Sequence, residues 1–167
     1  MEIQESIRQP VGDQLQGNRL VIRTLQEAKN LAVLLAKICH DPERRGLGFL
    51  EILLNAIEHG NLGIGYKEKS ALIARGMWEE EIKRRLRMPE HQGKVVEVTV
   101  ERLQAATRVV VRDQGNGFDW KNYLQFDPKR VTHTHGRGIA MAKLISFDTL
   151  EYRGCGNEVC MTVQRGR

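Results

Sequence analysis

The chain has 167 residues, 41% hydrophobic and 28% charged, with a net charge of +5. These proportions suit one globular domain and exclude wholesale disorder, while the absence of any apolar run of about eighteen residues excludes a bilayer-spanning helix. The start Met1-Glu2-Ile3-Gln4-Glu5 lacks the basic and apolar regions of a secretory leader, so the sequence reads as cytoplasmic.

Residues 1–19 carry no strong periodicity. Leu20-Val21-Ile22 reads as a short, edge-type strand. From Thr24 to His40 the apolar residues Leu25, Ala28, Leu31, Ala32, Leu35 and Ile38 recur at three- and four-residue intervals, an amphipathic helix. Thr24 is its expected N-cap, with Glu27 as capping-box partner. Asp41-Pro42 ends that helix and opens another, which Gly60-Asn61-Leu62-Gly63 terminates.

Within the second helix, Glu51, Asn55, Glu58 and His59 fall in an arc of roughly 100°. Phe49, Leu50, Ile52, Leu53, Leu54, Ala56 and Ile57 fill the rest. A helix so apolar is mostly buried, so its polar stripe faces either water or a cavity.

Residues 66–88 are charged and helix-prone, interrupted at Gly76 and stopped by Pro89. Leu72, Ile73, Met77, Trp78, Ile82 and Leu86 line one side. That side either packs on the domain's own core or docks a partner or second copy. Beyond Gly93 the period becomes two: Val96, Val98 and Val100 alternate with Glu97, Thr99 and Glu101 in a half-buried strand. Arg108-Val109-Val110-Val111-Arg112 is expected to be a fully buried strand running into Asp113. Residues 118–134 are irregular. Gly138 to Leu144 forms a helix opened by glycines, and 147–152 with 159–163 form a closing hairpin across Gly154-Cys155-Gly156-Asn157. The layer rule then gives a two-layer α/β sandwich, a mixed, mainly antiparallel sheet with helices on one face. There are no internal repeats, and one domain is expected over 1–167, its core about 20–165.

The three cysteines, Cys39, Cys155 and Cys160, form neither a CxxC pair nor a zinc pattern and read as small buried thiols. The densest basic cluster, Lys83, Arg84, Arg85 and Arg87, follows Glu79, Glu80 and Glu81 with no aromatic interleaving. Net charge is therefore the only argument for direct nucleic-acid binding.

Two further stretches bear on chemistry. Asp113-Gln114-Gly115-Asn116-Gly117 ends a buried strand. Its carboxylate only accepts hydrogen bonds, which suits an exocyclic amine, and its glycines allow close backbone approach to a flat ligand. The same five residues are equally ordinary hairpin-turn chemistry. Gly136-Arg137-Gly138 precedes a helix whose free N–H groups form an anion site, with charge added by Arg137 or His135; otherwise it is a helix start after a flexible loop. No Walker loop occurs.

Taken together, the order is Glu51-x-x-x-Asn55 on a helix, Asp113-x-Gly115-x-Gly117 after a strand, a long loop, and Gly136-x-Gly138 opening a helix. It resembles the GHKL ATPases, the superfamily that includes DNA gyrase and the histidine kinases. The stretch from Glu51 to Asn61 is similar to the N-box of the bacterial anti-sigma-factor serine/threonine kinases, and the likeness spans about residues 20–165.

That resemblance implies ATP and Mg²⁺ as cofactors. Asn55 would ligate the metal, and Glu51 would be the general base. Asp113 would accept from adenine N6, with Gly115 and Gly117 bordering the base. Gly136, Arg137 and Gly138 would hold the phosphates. His59, His135, Ile139 and Asn157 complete the expected nucleotide contacts, and 118–134 would be a lid. The implied function is phosphorylation of a serine or threonine on an anti-anti-sigma (STAS-type) protein by a chain that sequesters a sigma factor. The alternative is an ATP-binding switch without phosphoryl transfer; dimerisation stays open.

This chain departs from the family in two places. Asn157 stands where the family's last box carries a threonine supporting the adenine-binding carboxylate, and the segment 66–92 is longer than the short kinases need. His40-Asp41-Pro42 superficially resembles a histidine-kinase acceptor box, but it lies too close to Glu51 to sit on a separate dimerisation helix and reads as a helix-terminal residue.

Overall fold

The computed structural model describes residue 17, residues 19–124 and residues 137–166. Their strands are β1 (Arg19–Ile22), β2 (Val96–Arg102), β3 (Ala106–Arg112), β4 (Thr149–Arg153) and β5 (Glu158–Gln164). They form one five-stranded sheet in the order β1-β2-β3-β5-β4. Every adjacent pair is antiparallel, with β1 at an edge. The sheet is thus not mixed as expected. β3 and β4 do run parallel to each other, but the hairpin partner β5 is inserted between them and pairs antiparallel with both.

Register sorts the two faces. Val98 opposes Val111, Val100 opposes Val109, Val109 opposes Met161, and Leu150 opposes Met161. All of these are nearly inaccessible to solvent, and β-branched residues on a pleated face pack well against such neighbours. The other face pairs Glu97 with Arg112, Glu101 with Arg108, and Glu158 with both Arg112 and Arg153. Of these, Glu101 with Arg108 and Glu158 with Arg112 and Arg153 form ion pairs; exposed pairs contribute less than about 1 kcal/mol each, but they favour one register. The strand 108–112, expected to be buried throughout, is half-buried: Val109 and Val111 face the core while Val110 lies on the charged face opposite Cys160.

The helices are α1 (Leu25–Lys37), α2 (Pro42–Asn55), α3 (Tyr66–Ala74), α4 (Trp78–Leu86), α5 (Pro89–Gln92) and α6 (Gly138–Met141). α1 buries Ala28, Leu31, Ala32, Leu35 and Ala36. Its capping box is formed as expected: Glu27 N–H donates to Thr24 Oγ1 at 3.2 Å, and Thr24 N–H donates to Glu27 Oε2 at 2.9 Å. Thr24→Ala should therefore lower stability by about 1 kcal/mol, read as a reduced urea midpoint with an unchanged m-value. His40 lies in the turn between α1 and α2, where its Nε2 is 3.3 Å from Arg45 Nη2.

Two features aim α2 and α6 at each other. Beyond Asn55, α2 continues as a π-helix over Ala56–Asn61, and Leu62 N–H donates to Ile57 O at 2.9 Å. α6 likewise continues as a π-helix over Ala142–Ser146. Its last carbonyls are capped from α2: Arg44 donates to Ile145 O, and the fully buried Arg45 donates to Ser146 O at 2.6 Å, a favourable place for cations. Gly48 permits the close approach, since a Cβ there would lie 2.2 Å from Ser146 Cβ.

The segment 66–92 folds as three short helices. Gly76, at φ +68°, separates α3 from α4, and Pro89 opens α5 instead of merely ending a helix. Ile82 is buried, and Leu72, Trp78 and Leu86 pack against the core. Arg85 donates to Leu62 O at 2.9 Å and pairs with Glu81 and Glu68. Of the two readings of this segment, packing on the domain's own core accounts for these contacts. No helix among the described residues is long and apolar enough to cross a membrane.

Candidate functional site

The polar stripe of α2 faces a cavity. Glu51, Asn55 and His59 line it, four residues apart. Asn55 Nδ2–H donates to Glu51 Oε1 at 3.3 Å, which leaves Glu51 Oε2 and Asn55 Oδ1 as free acceptors. The start of α6 lies against the same carboxylate: a Cβ on Gly138 would sit 1.7 Å from Glu51 Oε1. Only glycine lets that backbone approach so closely without displacing the acid.

Glu58, the fourth stripe residue, does not join them. After Asn55 the chain turns by fewer degrees per residue than an α-helix, and Glu58 is carried into the core, where it is fully buried. There Lys69 of α3 pairs with it at 2.6 Å and lies 5.8 Å from the centre of the Trp78 ring. A π-turn of this kind is a common re-aiming device near functional sites. His59 stays on the wall, its Nδ1–H donating to Ile64 O, so that Nε2 is the ring's acceptor when neutral.

The opposite end of the cavity is built around Asp113, which β3 delivers just past its last paired residue. Its N–H donates to Asn157 O at 2.9 Å and its carbonyl accepts from Asn157 Nδ2 at 3.3 Å. Asn157 therefore holds the main chain of Asp113, whereas the expected role was to support its carboxylate. Gly115 N–H donates to Asp113 Oδ1 at 2.8 Å, leaving Oδ2 to accept from a ligand. Burial pushes the Asp113 carboxyl up to about 6, against the Gly115 N–H and the Lys94 ammonium, which both favour the ion.

Glycines make this packing feasible. A Cβ on Gly60 would lie 2.3 Å from Asp113 Cγ, and one on Gly115 would lie 2.3 Å from Gly60 O. Gly117 has φ +76° and comes so close to the β4–β5 turn that a Cβ would be 2.0 Å from Cys155 O, a position open only to glycine. Asn61 ties the two motifs together, its Oδ1 accepting from Gln114 N–H at 2.7 Å.

One cavity of about 690 Å³ joins the two ends, within the usual range for small-molecule sites. Glu51, Asn55 and His59 line it with Arg137, Gly138 and Ile139, and Asp113, Gly117 and Asn157 close the far end. Gly115 is not on the wall; it packs behind Asp113 against Gly60. His135, Gly136 and residues 125–134 of the expected lid lie outside the described residues. The first part of that lid contributes Phe118 and Tyr123 to the wall.

Sequence reasoning did not find Tyr66 and Lys69, which α3 adds to the wall, or Tyr152, which β4 adds to the floor. The alternation along β4, with Leu150 and Tyr152 inward, was the available signal for the last. Nor are the cysteines uniformly buried: Cys155 is exposed on the β4–β5 turn, Cys39 is half-buried and Cys160 buried. No group of three or more His, Cys, Asp or Glu that could hold a metal occurs among the described residues. An ion held by Asn55 would depend on ligand oxygens besides that amide, which is the habit of Mg²⁺.

No protein-family model matches the chain, and no curated protein sequence matches it.

Proposed function

We propose that this chain is a GHKL-type ATP-binding domain acting as an anti-sigma-type regulator and serine/threonine kinase, with a STAS-type anti-anti-sigma protein as its substrate. The observation that carries the reading is the pairing of two acidic ends in one cavity. Asp113 lies against Gly60 at one end, and Glu51 with Asn55 lies against Gly138 at the other. A carboxylate that accepts hydrogen bonds, beside Gly60 and Gly117 on the cavity wall, suits the exocyclic amine of adenine. The far end offers oxygen acceptors for a hard cation beside the start of α6.

Asn55 would hold Mg²⁺, which would supply charge neutralisation at the phosphates. The protein's own contributions are separate. The hydrogen bond that its amide gives Glu51 leaves Asn55 Oδ1 as the acceptor that would hold the ion. Glu51 Oε2 remains free to take the proton of an incoming serine or threonine hydroxyl. Gly138 lets that carboxylate reach the phosphate end without a side chain between, and Arg137 adds charge there.

Incubation of the chain with radiolabelled ATP, Mg²⁺ and candidate STAS-type proteins tests the transfer step. Acid-stable label on serine or threonine of one partner supports the kinase reading. Nucleotide binding with no transferred label to any of them would leave the second reading, an ATP-dependent interaction switch. Two observations favour that alternative. Asn157 engages only the backbone of Asp113, and the segment 66–92 adds its own residues to the wall. A sigma factor as the sequestered partner belongs to the same proposal.

A further inference from the structure

Among the described residues, Tyr152 is the one large aromatic residue on the sheet floor of the cavity, and its surroundings hold its ring but not its hydroxyl. On β4 it opposes Val159, itself on the cavity floor. Phe118 meets its ring edge-on at 5.1 Å, and Trp120 stacks at 6.2 Å. The residue is only 9% exposed. Among the described residues its hydroxyl has no hydrogen-bond partner, yet it is not among the sealed, unsatisfied polar atoms either. It therefore opens into the cavity that the ring lines.

A phenol held this way normally finds a partner when buried. We propose that the Tyr152 hydroxyl is a further ligand contact, donating a hydrogen bond to an acceptor atom on the nucleoside part of the bound nucleotide. This rests on the adenine-nucleotide reading above. Its placement argues for the nucleoside over the phosphates. The Tyr152 ring packs on Phe118, which follows Gly117 at the Asp113 end, whereas the proposed phosphate end lies at Glu51, Arg137 and Gly138. Its protonation state agrees: burial first, then the Asp113 and Glu51 carboxylates, hold it well above the ordinary phenol range. It stays a donor, and the Asp113 and Glu51 carboxylates that act on it are acceptors only when ionised.

Tyr152→Phe removes the hydroxyl and keeps the ring, and with it the packing on Phe118 and Trp120. An unchanged thermal midpoint for the variant would establish that its fold is intact. The affinities of wild type and variant for adenosine, AMP, ADP and ATP with Mg²⁺ then decide the matter by calorimetry. The expected result is a loss of about three- to tenfold, the same factor for adenosine as for ATP. Equal affinities of wild type and variant across the series overturn the proposal. So does a loss that appears only once phosphates are present, which would move the contact to the phosphate end. If wild type binds none of the four, the adenine reading itself falls, a result distinct from a silent substitution in a chain that binds.

Discussion

Replacing Glu51 with alanine is expected to lower phosphoryl transfer by roughly 10²–10⁴, the usual weight of a general base, while ATP affinity stays within about threefold. Such a drop corresponds to about 3–5 kcal/mol of lost transition-state stabilisation. The separation of the two effects follows from geometry. Among the described residues Glu51 makes one hydrogen bond, from Asn55 at 3.3 Å, and lies against the bare backbone of Gly138. Removing its carboxylate leaves the walls at Asp113, His59 and Gly117 in place, so nucleotide still binds. It removes the free Oε2 that would take the proton of the acceptor hydroxyl. Single-turnover transfer, with ATP binding measured in parallel, checks both halves. Lost binding with unchanged residual transfer would show that the acid holds nucleotide instead of moving a proton.

Asp113→Ala is expected to weaken adenine-nucleotide binding by about 1.5–3 kcal/mol, the worth of a hydrogen bond to a charged group, with little effect on transfer once nucleotide is saturating. pH adds a second signature. Because burial pushes the Asp113 carboxyl up to about 6, its acceptor form is depleted as pH falls below that value, and ATP affinity should fall with it. The stability consequence has the opposite sense. A carboxyl whose folded value is raised above its ordinary 3.8 favours folding below that value, and the contribution is lost as pH rises through about 6. Asp113→Asn should accordingly gain on wild type in urea stability between pH 4 and pH 7. A residue that is costly to the fold when ionised but useful to a ligand is typical of a binding site. An affinity that stays flat from pH 7 to pH 5 in wild type would remove the carboxylate from the base-binding role.

Much of this site could be read from spacing because its parts are local. The capping box at Thr24 and Glu27, the β4–β5 hairpin, and the stripe at Glu51, Asn55 and His59 each depend on neighbours within a few residues. What sequence could not supply was where those local pieces meet. Ideal α-helical rotation kept Glu58 on the stripe; the π-turn after Asn55 instead carried it into the core to pair with Lys69, eleven residues away on another helix. The apolar run at 108–112 looked buried on both faces, but the open side of the sheet is a charged lattice in which Val110 sits opposite Cys160. The segment 66–92 gave no sign, in its charged composition, that Tyr66 and Lys69 would reach the cavity. Asn157 lies beside Asp113, yet its hydrogen bonds there go to the main chain, a distinction that residue type alone does not make.

The most direct test of the cavity's assignment is a calorimetric titration of the chain with ATP and Mg²⁺, run beside GTP under the same conditions. One saturable site per chain, with ATP bound more tightly than GTP, is the predicted result, because Asp113 offers an acceptor where adenine presents its amine and guanine presents a carbonyl oxygen. Absence of saturable ATP binding, or equal affinity for the two nucleotides, would contradict it.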